Sequence, residues 1–181
     1  PYAKEGECEV RVTARGDTPE EAQDKCRPVV EHILGMLGDV AYGVDVASLE
    51  EVVVRGLTRR GLSLAVAESC TGGLLAKRTT DIPGASGCFT TGFVTYSNQA
   101  KTALLGVSPD TLAAHGAVSE ETALEMARGA RARSGADIGV GITGIAGPGG
   151  GTEEKPVGTG YIAIAPGGGE KGISPNRRYL R

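Results

Sequence analysis

The chain has 181 residues, 40% hydrophobic and 23% charged, with a formal net charge of −3, which suits one or two small globular domains with a real core. The charge is uneven: residues 1–47 carry five basic and ten acidic side chains, and residues 48–181 carry fourteen and twelve. The acidic amino-terminal segment argues against a polyanion-binding surface there, the slightly basic remainder suits a small anionic ligand, and a chain with no Trp and two Phe has few platforms for stacking bases.

In chain order, Cys8-Glu9-Val10-Arg11-Val12-Thr13-Ala14 alternates with the period of two that a half-exposed strand requires. Thr18-Pro19-Glu20-Glu21 combines a capping box with Pro at the first helical position. It opens a helix with Ala22, Cys26, Val29, Ile33 and Leu37 on one face. Pro28 lies inside that helix and predicts a kink or a break, because proline lacks the N–H and crowds the preceding turn. Residues 38–46 read as a short strand or linker. Gly35-Met36-Leu37-Gly38 has the form of the GXXG of an RNA-binding KH domain, but its apolar centre and acidic surroundings read as a helix end. A lone strand, helix and strand bury little, so residues 1–46 read as a small α+β segment of a larger domain.

A second capping box, Ser48-Leu49-Glu50-Glu51, opens a helix with Leu49, Val52, Val53 and Leu57 inward and Gly61 at its end. Residues 47–181 then alternate between strands and helices. Strand 62–67 is followed by a tight turn and helix 72–80; strand 88–95 is followed by helices 98–105 and 109–115. Ser119 caps a helix with Ala123, Met126, Ala127 and Ala130 at helical spacing, and strands follow at 138–142 and 158–165. This order predicts a three-layer α/β/α sandwich around a mostly parallel sheet.

Gly139-Val140-Gly141-Ile142-Thr143-Gly144 matches GxGxxG, but its glycines alternate within a strand, no helix opens after them, and no ribose-binding acid follows at the right distance. No Walker loop occurs. Cys8, Cys26, Cys70 and Cys88 have no metal-ligand spacing, and only His32 and His115 accompany them, so no metal is expected. No signal peptide or membrane-length apolar run is visible, and reduced thiols in the cytoplasm are the expectation. The chain starts at Pro1 without a Met, which reads as a fragment or a processed product.

Two loops carry chemistry. Ala67-Glu68-Ser69-Cys70-Thr71-Gly72-Gly73 leaves a strand and enters a helix, where unpaired N–H groups suit a phosphate or an oxyanion. Ser69 reads either as a nucleophile or as a helix cap, and Cys70 either as a rival nucleophile or as a small buried side chain. The histidines offer no obvious base. Tyr96 at a strand end and Lys101 one turn into the next helix offer an alternative, because a desolvated lysine can lose its proton; alone, Lys101 reads first as a solvated helix lysine. The second loop, Thr143-Gly144-Ile145-Ala146-Gly147-Pro148-Gly149-Gly150-Gly151-Thr152, leaves the carboxyl end of a buried strand, where open α/β sheets place ligands.

These stretches, with Leu104-Leu105-Gly106-Val107, Gly116-Ala117-Val118-Ser119-Glu120-Glu121 and Lys155-Pro156-Val157-Gly158-Thr159, resemble the carboxy-terminal domain of CinA proteins, a family that contains nicotinamide-mononucleotide deamidases. The resemblance covers about residues 48–165. Residues 1–46 are similar to the end of the KH-type domain that precedes it, and the resemblance does not extend to the family's molybdopterin-binding-like domain. It implies an amidohydrolase that converts nicotinamide mononucleotide to nicotinic acid mononucleotide and ammonia without metal or cofactor. Ser69 would be the nucleophile, Lys101 the general base, and Tyr96 and Asn98 organisers of the site. The substrate-binding set it implies is Glu68, Cys70, Thr71, Gly72, Gly73, Asn98, Thr143, Gly144, Ala146, Gly147 and Arg177. It also implies a cytoplasmic homodimer or higher oligomer in pyridine-nucleotide recycling or competence, with no nucleic-acid or membrane partner. The family's Gly-Asp-Arg and terminal helix are replaced by Ser174-Pro175-Asn176-Arg177 and an end at Arg181, which implies a shortened fold or one completed by a partner subunit. The alternative is a catalytically silent nucleotide-binding or assembly module.

Overall fold

The computed structural model describes residues 1–4, 6–167 and 176–179, with Lys4 and the last four as backbone. Its contacts divide the chain into two units, Pro1–Val46 and Ala47–Arg181.

In the first unit, β1 (Tyr2–Lys4) pairs antiparallel with β2 (Glu7–Glu9). α1 (Pro19–Leu37) starts at the predicted cap: Thr18 Oγ1 accepts the Glu21 N–H at 3.2 Å, and the Glu21 carboxylate accepts the Asp17 N–H at 2.8 Å. The predicted break at Pro28 does not occur, and α1 runs through it. Asp24, whose carbonyl loses its i+4 donor, and Pro28 are both exposed, so water can satisfy that group. The face of α1 is shallow: Ala22, Cys26, Val30, Ile33 and Leu34 are half-buried, while Val29 and Leu37 are exposed. Gly38 ends the helix at φ +55°, so the GXXG stretch is a helix end. The strand predicted over residues 8–14 pairs only as far as Glu9, because alternation without a neighbouring strand makes no ladder. Residues 38–46 form a single 3₁₀ turn, Gly38–Val40, followed by irregular chain.

The second unit is a three-layer α/β/α sandwich. α2 (Leu49–Arg60) opens at Ser48, whose hydroxyl accepts the Glu51 N–H at 3.2 Å, and closes at Gly61 in the left-handed region, φ +63°. The following elements are β3 (Leu64–Glu68), α3 (Leu74–Thr80), β4 (Phe89–Val94), α4 (Asn98–Ala100) continued by a π-helical turn (Lys101–Leu105), α5 (Pro109–His115) and α6 (Glu120–Ser134). They end with β5 (Ile138–Gly144), β6 (Thr159–Pro166) and β7 (Asn176–Tyr179). The sheet order is β4-β3-β5-β6-β7. β3, β4 and β5 are mutually parallel, β6 is antiparallel to β5, and β7 is antiparallel to β6.

Small residues set how closely the layers approach. Ala65 and Ala67 of β3 pair in register with Gly139 and Gly141 of β5 and share their face of the sheet. α6 lies on that face with Ala123, Met126, Ala127 and Ala130 fully buried. A Cβ at Gly139 would fall 2.0 Å from the Ala127 carbonyl oxygen, and one at Gly141 would fall 2.2 Å from that of Ala123. The alternating glycines are therefore a helix-docking surface, which is why they are not a dinucleotide fingerprint. On the opposite face, α2 buries Val54 against Ala85 and Cys88, with Leu57 and Ile82 beside them. The predicted inward set for α2 is thus rotated: Leu49 and Val53 are exposed, because a helix so rich in Val offers two apolar stripes and the neighbours choose between them. No helix among the described residues is long and apolar enough to cross a membrane.

The packing under α6 predicts that Gly141→Ala costs about 3 kcal/mol or more, as overpacking against backbone does at its upper end. Urea unfolding of this variant beside the parent chain measures the loss.

Candidate active site

β3 delivers Glu68 and Ser69 to the carboxyl edge of the sheet. Neighbouring strands hold both: the Ser69 N–H donates to Ile142 O at 3.0 Å, and the Thr95 N–H donates to Glu68 O at 2.8 Å. The chain then turns sharply into α3 through Gly72 and Gly73, at φ +62° and +103°, a conformation that favours glycine. The Glu68 side chain is buried and takes the N–H groups of Leu75 and Ala76 at 3.0 and 2.8 Å. Its carboxylate therefore anchors the first turn of α3, with both oxygens engaged.

Lys101 reaches the same point from the other side. It is 1% exposed, and its Nζ lies 2.9 Å from Ser69 Oγ, 2.8 Å from Thr95 O and 3.4 Å from Tyr96 O. The two carbonyls only accept hydrogen bonds, whereas the serine hydroxyl can also donate. A neutral amine can donate to the two carbonyls and accept from the Ser69 hydroxyl, whereas an ammonium would donate to all three. Burial pushes the Lys101 pKa below the ordinary lysine value, opposed by a smaller interaction with Cys70. Lys101 is also the first residue of the π-helical turn, a local irregularity often found at functional sites.

Cys70 is half-buried, and burial raises its thiol pKa, with the N–H groups of Cys70 and Thr71 acting in the opposite sense. A raised pKa disfavours the thiolate. Its Sγ packs where a Cβ of Gly144 would lie, 3.0 Å away, which accounts for glycine at that position. Among the described residues, the N–H groups of Cys70 and Thr71 bond to no backbone carbonyl, whereas Gly72 N–H turns back to Ser69 O at 3.1 Å. The Thr71 hydroxyl is buried and has no partner among the described residues. The N–H groups of Cys70 and Thr71 are thus left unclaimed by backbone carbonyls and lie against the Cys70 sulfur, one residue after Ser69.

The remaining predicted residues spread outward from this point. Thr143 is buried and donates its hydroxyl to Ala117 O at 2.7 Å. Gly144 follows it against Cys70, and Ala146 and Gly147 lie on the exposed stretch of the glycine-rich loop. Tyr96 brings its carbonyl to Lys101, while its side chain is 76% exposed. Asn98 is exposed at the start of α4, lining a surface cleft with Thr102, Pro109 and Leu112. Arg177 lies on β7 opposite Tyr161, and its side chain falls outside the described residues, as do Ser174 and Pro175. Sequence reasoning missed the Thr95 and Tyr96 carbonyls around Lys101, because backbone acceptors leave no side-chain signature. It also missed the anchoring of α3 by Glu68, which links residues seven and eight positions apart. Among the described residues, no cluster of three His, Cys, Asp or Glu could hold a metal ion, and the four cysteines are free.

Comparison with known proteins matches residues 46–176 to the CinA C-terminal domain and residues 1–43 to the damage-inducible protein CinA KH domain. A CinA-like protein of Desulfovibrio desulfuricans is 59% identical over 165 residues, covering 91% of this chain and 39% of that protein. A putative competence-damage inducible protein of Moorella thermoacetica is 56% identical over 164 residues, covering 91% and 40%. The chain thus spans about two-fifths of the length of these relatives. Among solved structures, the competence/damage inducible protein CihA of Agrobacterium tumefaciens superposes with a TM-score of 0.71 at 44% identity, covering 78% of this chain and 84% of that one. A CinA superfamily protein of Escherichia coli gives 0.69 at 34% identity, covering 80% and 86%.

The geometry predicts how Ser69 responds to pH. A lysine accepts a hydroxyl proton only as the free amine, so labelling of Ser69 by a fluorophosphonate is expected to accelerate as pH rises. The rate levels off below the ordinary lysine pKa of about 10.4, because burial has moved the Lys101 transition down. A labelling rate that still climbs through that value contradicts the arrangement.

Proposed function

The chain belongs to the CinA family, and we propose that it is an amidohydrolase that releases ammonia from nicotinamide mononucleotide, with Ser69 as nucleophile and Lys101 as its base. The observation that carries this reading is the 2.9 Å contact between a buried Lys101 amine and Ser69 Oγ. An amide is a poor electrophile with a poor leaving group. Its hydrolysis needs a deprotonated nucleophile, a stabilised oxyanion and a proton for the departing nitrogen.

Each need has a residue. Lys101 takes the Ser69 hydroxyl proton as Oγ attacks the carboxamide carbon, and the carbonyl π electrons move onto oxygen. We assign the stabilisation of that oxyanion to the Cys70 and Thr71 N–H groups, which no backbone carbonyl claims among the described residues. As the tetrahedral intermediate collapses, the Lys101 ammonium returns its proton to the nitrogen, and the C–N bond breaks to release ammonia. Ser69 is left as the nicotinoyl ester. Lys101, neutral again, deprotonates a water that attacks this ester. Collapse of the second intermediate frees nicotinic acid mononucleotide and restores the Ser69 hydroxyl. The Thr95 and Tyr96 carbonyls hold the amine in place through both cycles.

The mononucleotide needs an anion site as well as a reaction centre. The glycine-rich loop after β5 supplies backbone N–H groups beside Gly144 and Cys70, on the same edge of the sheet as Ser69. A catalytically silent module would bind the mononucleotide there without turning it over.

Ammonia release from nicotinamide mononucleotide tests the reading. The parent chain is expected to turn over, and Ser69→Ala and Lys101→Met are each expected to lose about 100- to 10,000-fold in kcat. Lys101→Arg should not recover activity, since a guanidinium keeps its proton. Full activity in Ser69→Ala, or none in the parent, overturns it.

A further inference from the structure

Lys155 lies where the glycine-rich loop returns to β6. It is half-buried and has no carboxylate partner among the described residues. Its Nζ donates to His115 O at 2.9 Å and to Val118 O at 2.7 Å. His115 is the last residue of α5, so the ammonium sits at the negative end of that helix. Hydrogen bonds from a charged donor are about twice as strong as neutral ones.

The segment it holds is unusually well tied. Gly116 O accepts the hydroxyls of Ser119 and Thr122 at 3.2 and 2.8 Å, and Ala117 O accepts that of Thr143 at 2.7 Å. Four successive carbonyls, from His115 to Val118, are thus engaged, and those of His115 and Val118 by Lys155.

The loop it belongs to is closed at its neck. Ile145 N–H donates to Thr159 O and Gly158 N–H to Ile145 O, both at 2.8 Å. Gly147 and Gly151 fold over Val157: a Cβ on Gly147 would lie 2.5 Å from a Val157 methyl, and one on Gly151 would lie 2.6 Å from Val157 N. The Lys155 backbone is pinned to Thr152 in both directions, at 2.9 and 3.0 Å. The Lys155 side chain joins this compact loop to the 115–118 turn, and its Nζ bonds lie there and not at Ser69 or Lys101.

We propose that Lys155 is a positioning residue that clamps the glycine-rich loop, residues 145–158, onto the 115–118 turn and so holds the loop N–H groups where the mononucleotide binds. A glycine-rich loop left free would have to be ordered by each incoming ligand, and that cost weakens affinity. The clamp removes it in advance. Its effect therefore falls on ligand binding and not on the chemistry at Ser69. The inference rests on the amidase reading for the identity of the ligand.

Amide hydrogen exchange and steady-state kinetics on the full chain, with Lys155→Met and Lys155→Arg, test it. In Lys155→Met, exchange over residues 146–154 should quicken and KM for nicotinamide mononucleotide should rise about tenfold or more, the loss expected from a charge-assisted bond. The kcat should stay within about threefold, since binding common to ground and transition states has been removed. Lys155→Arg, which also donates to two carbonyls, should restore both exchange and KM. Unchanged exchange overturns the clamp, and so does faster exchange at constant KM. A parent chain that releases no ammonia overturns the amidase reading, while the exchange comparison still decides the clamp.

Discussion

A lysine amine withdrawn from water and set against a serine hydroxyl is the interaction around which the second unit is arranged. Burying an ammonium is expensive, and burial pushes the Lys101 pKa below the ordinary lysine value. Two carbonyls just after β4 accept from its Nζ, and Ser69 Oγ lies 2.9 Å away on the same nitrogen. The same burial that disfavours the charge supports the role of base proposed for Lys101. The neighbouring thiol moves the other way: burial raises the Cys70 pKa, which disfavours its thiolate.

The two halves of the pair are held by different layers. Ser69 is fixed by hydrogen bonds into β5 and by α3, whose first turn Glu68 anchors. Lys101 belongs to the π-helical turn, which α6 holds from the opposite face. A Cβ at Gly129 of α6 would fall 2.1 Å from Leu105 O, so this helix and that turn meet backbone to backbone. Gly139 and Gly141 bring α6 equally close to the sheet. Small residues in α6 and β5 thus fix the distance between layers that the Ser69–Lys101 contact spans. Close-packed interiors transmit such displacements instead of absorbing them.

Much of this arrangement is legible in the sequence, for identifiable reasons. Thr18, Ser48 and Ser119 announce helix starts because a cap is a local hydrogen bond, and each one forms. The alternation of Ile138, Val140 and Ile142 with glycine marks a buried strand, and the strand-to-helix turn at Ser69 follows from local pattern. Features that depend on tertiary neighbours are not legible. Val54 faces the core, and Leu49 and Val53 do not, because Ala85 and Cys88 select one of two apolar stripes. Pro28 fails to interrupt α1 because its lost hydrogen bond lies on a wet face. The π-helical turn at Lys101 has no sequence signature, and neither do the backbone carbonyls bound by Lys101 and Lys155. Tyr96 was the natural side-chain candidate, yet its main chain is what reaches the amine.

The protonation state of Lys101 decides whether the Ser69–Lys101 pair can work as proposed. NMR titration of the chain labelled at the lysine side chains, with Lys101→Met to assign the resonance, reads that state directly. The Lys101 signal is expected to titrate below the ordinary lysine value of about 10.4. A Lys101 resonance that remains that of an ammonium up to the ordinary value would contradict the account.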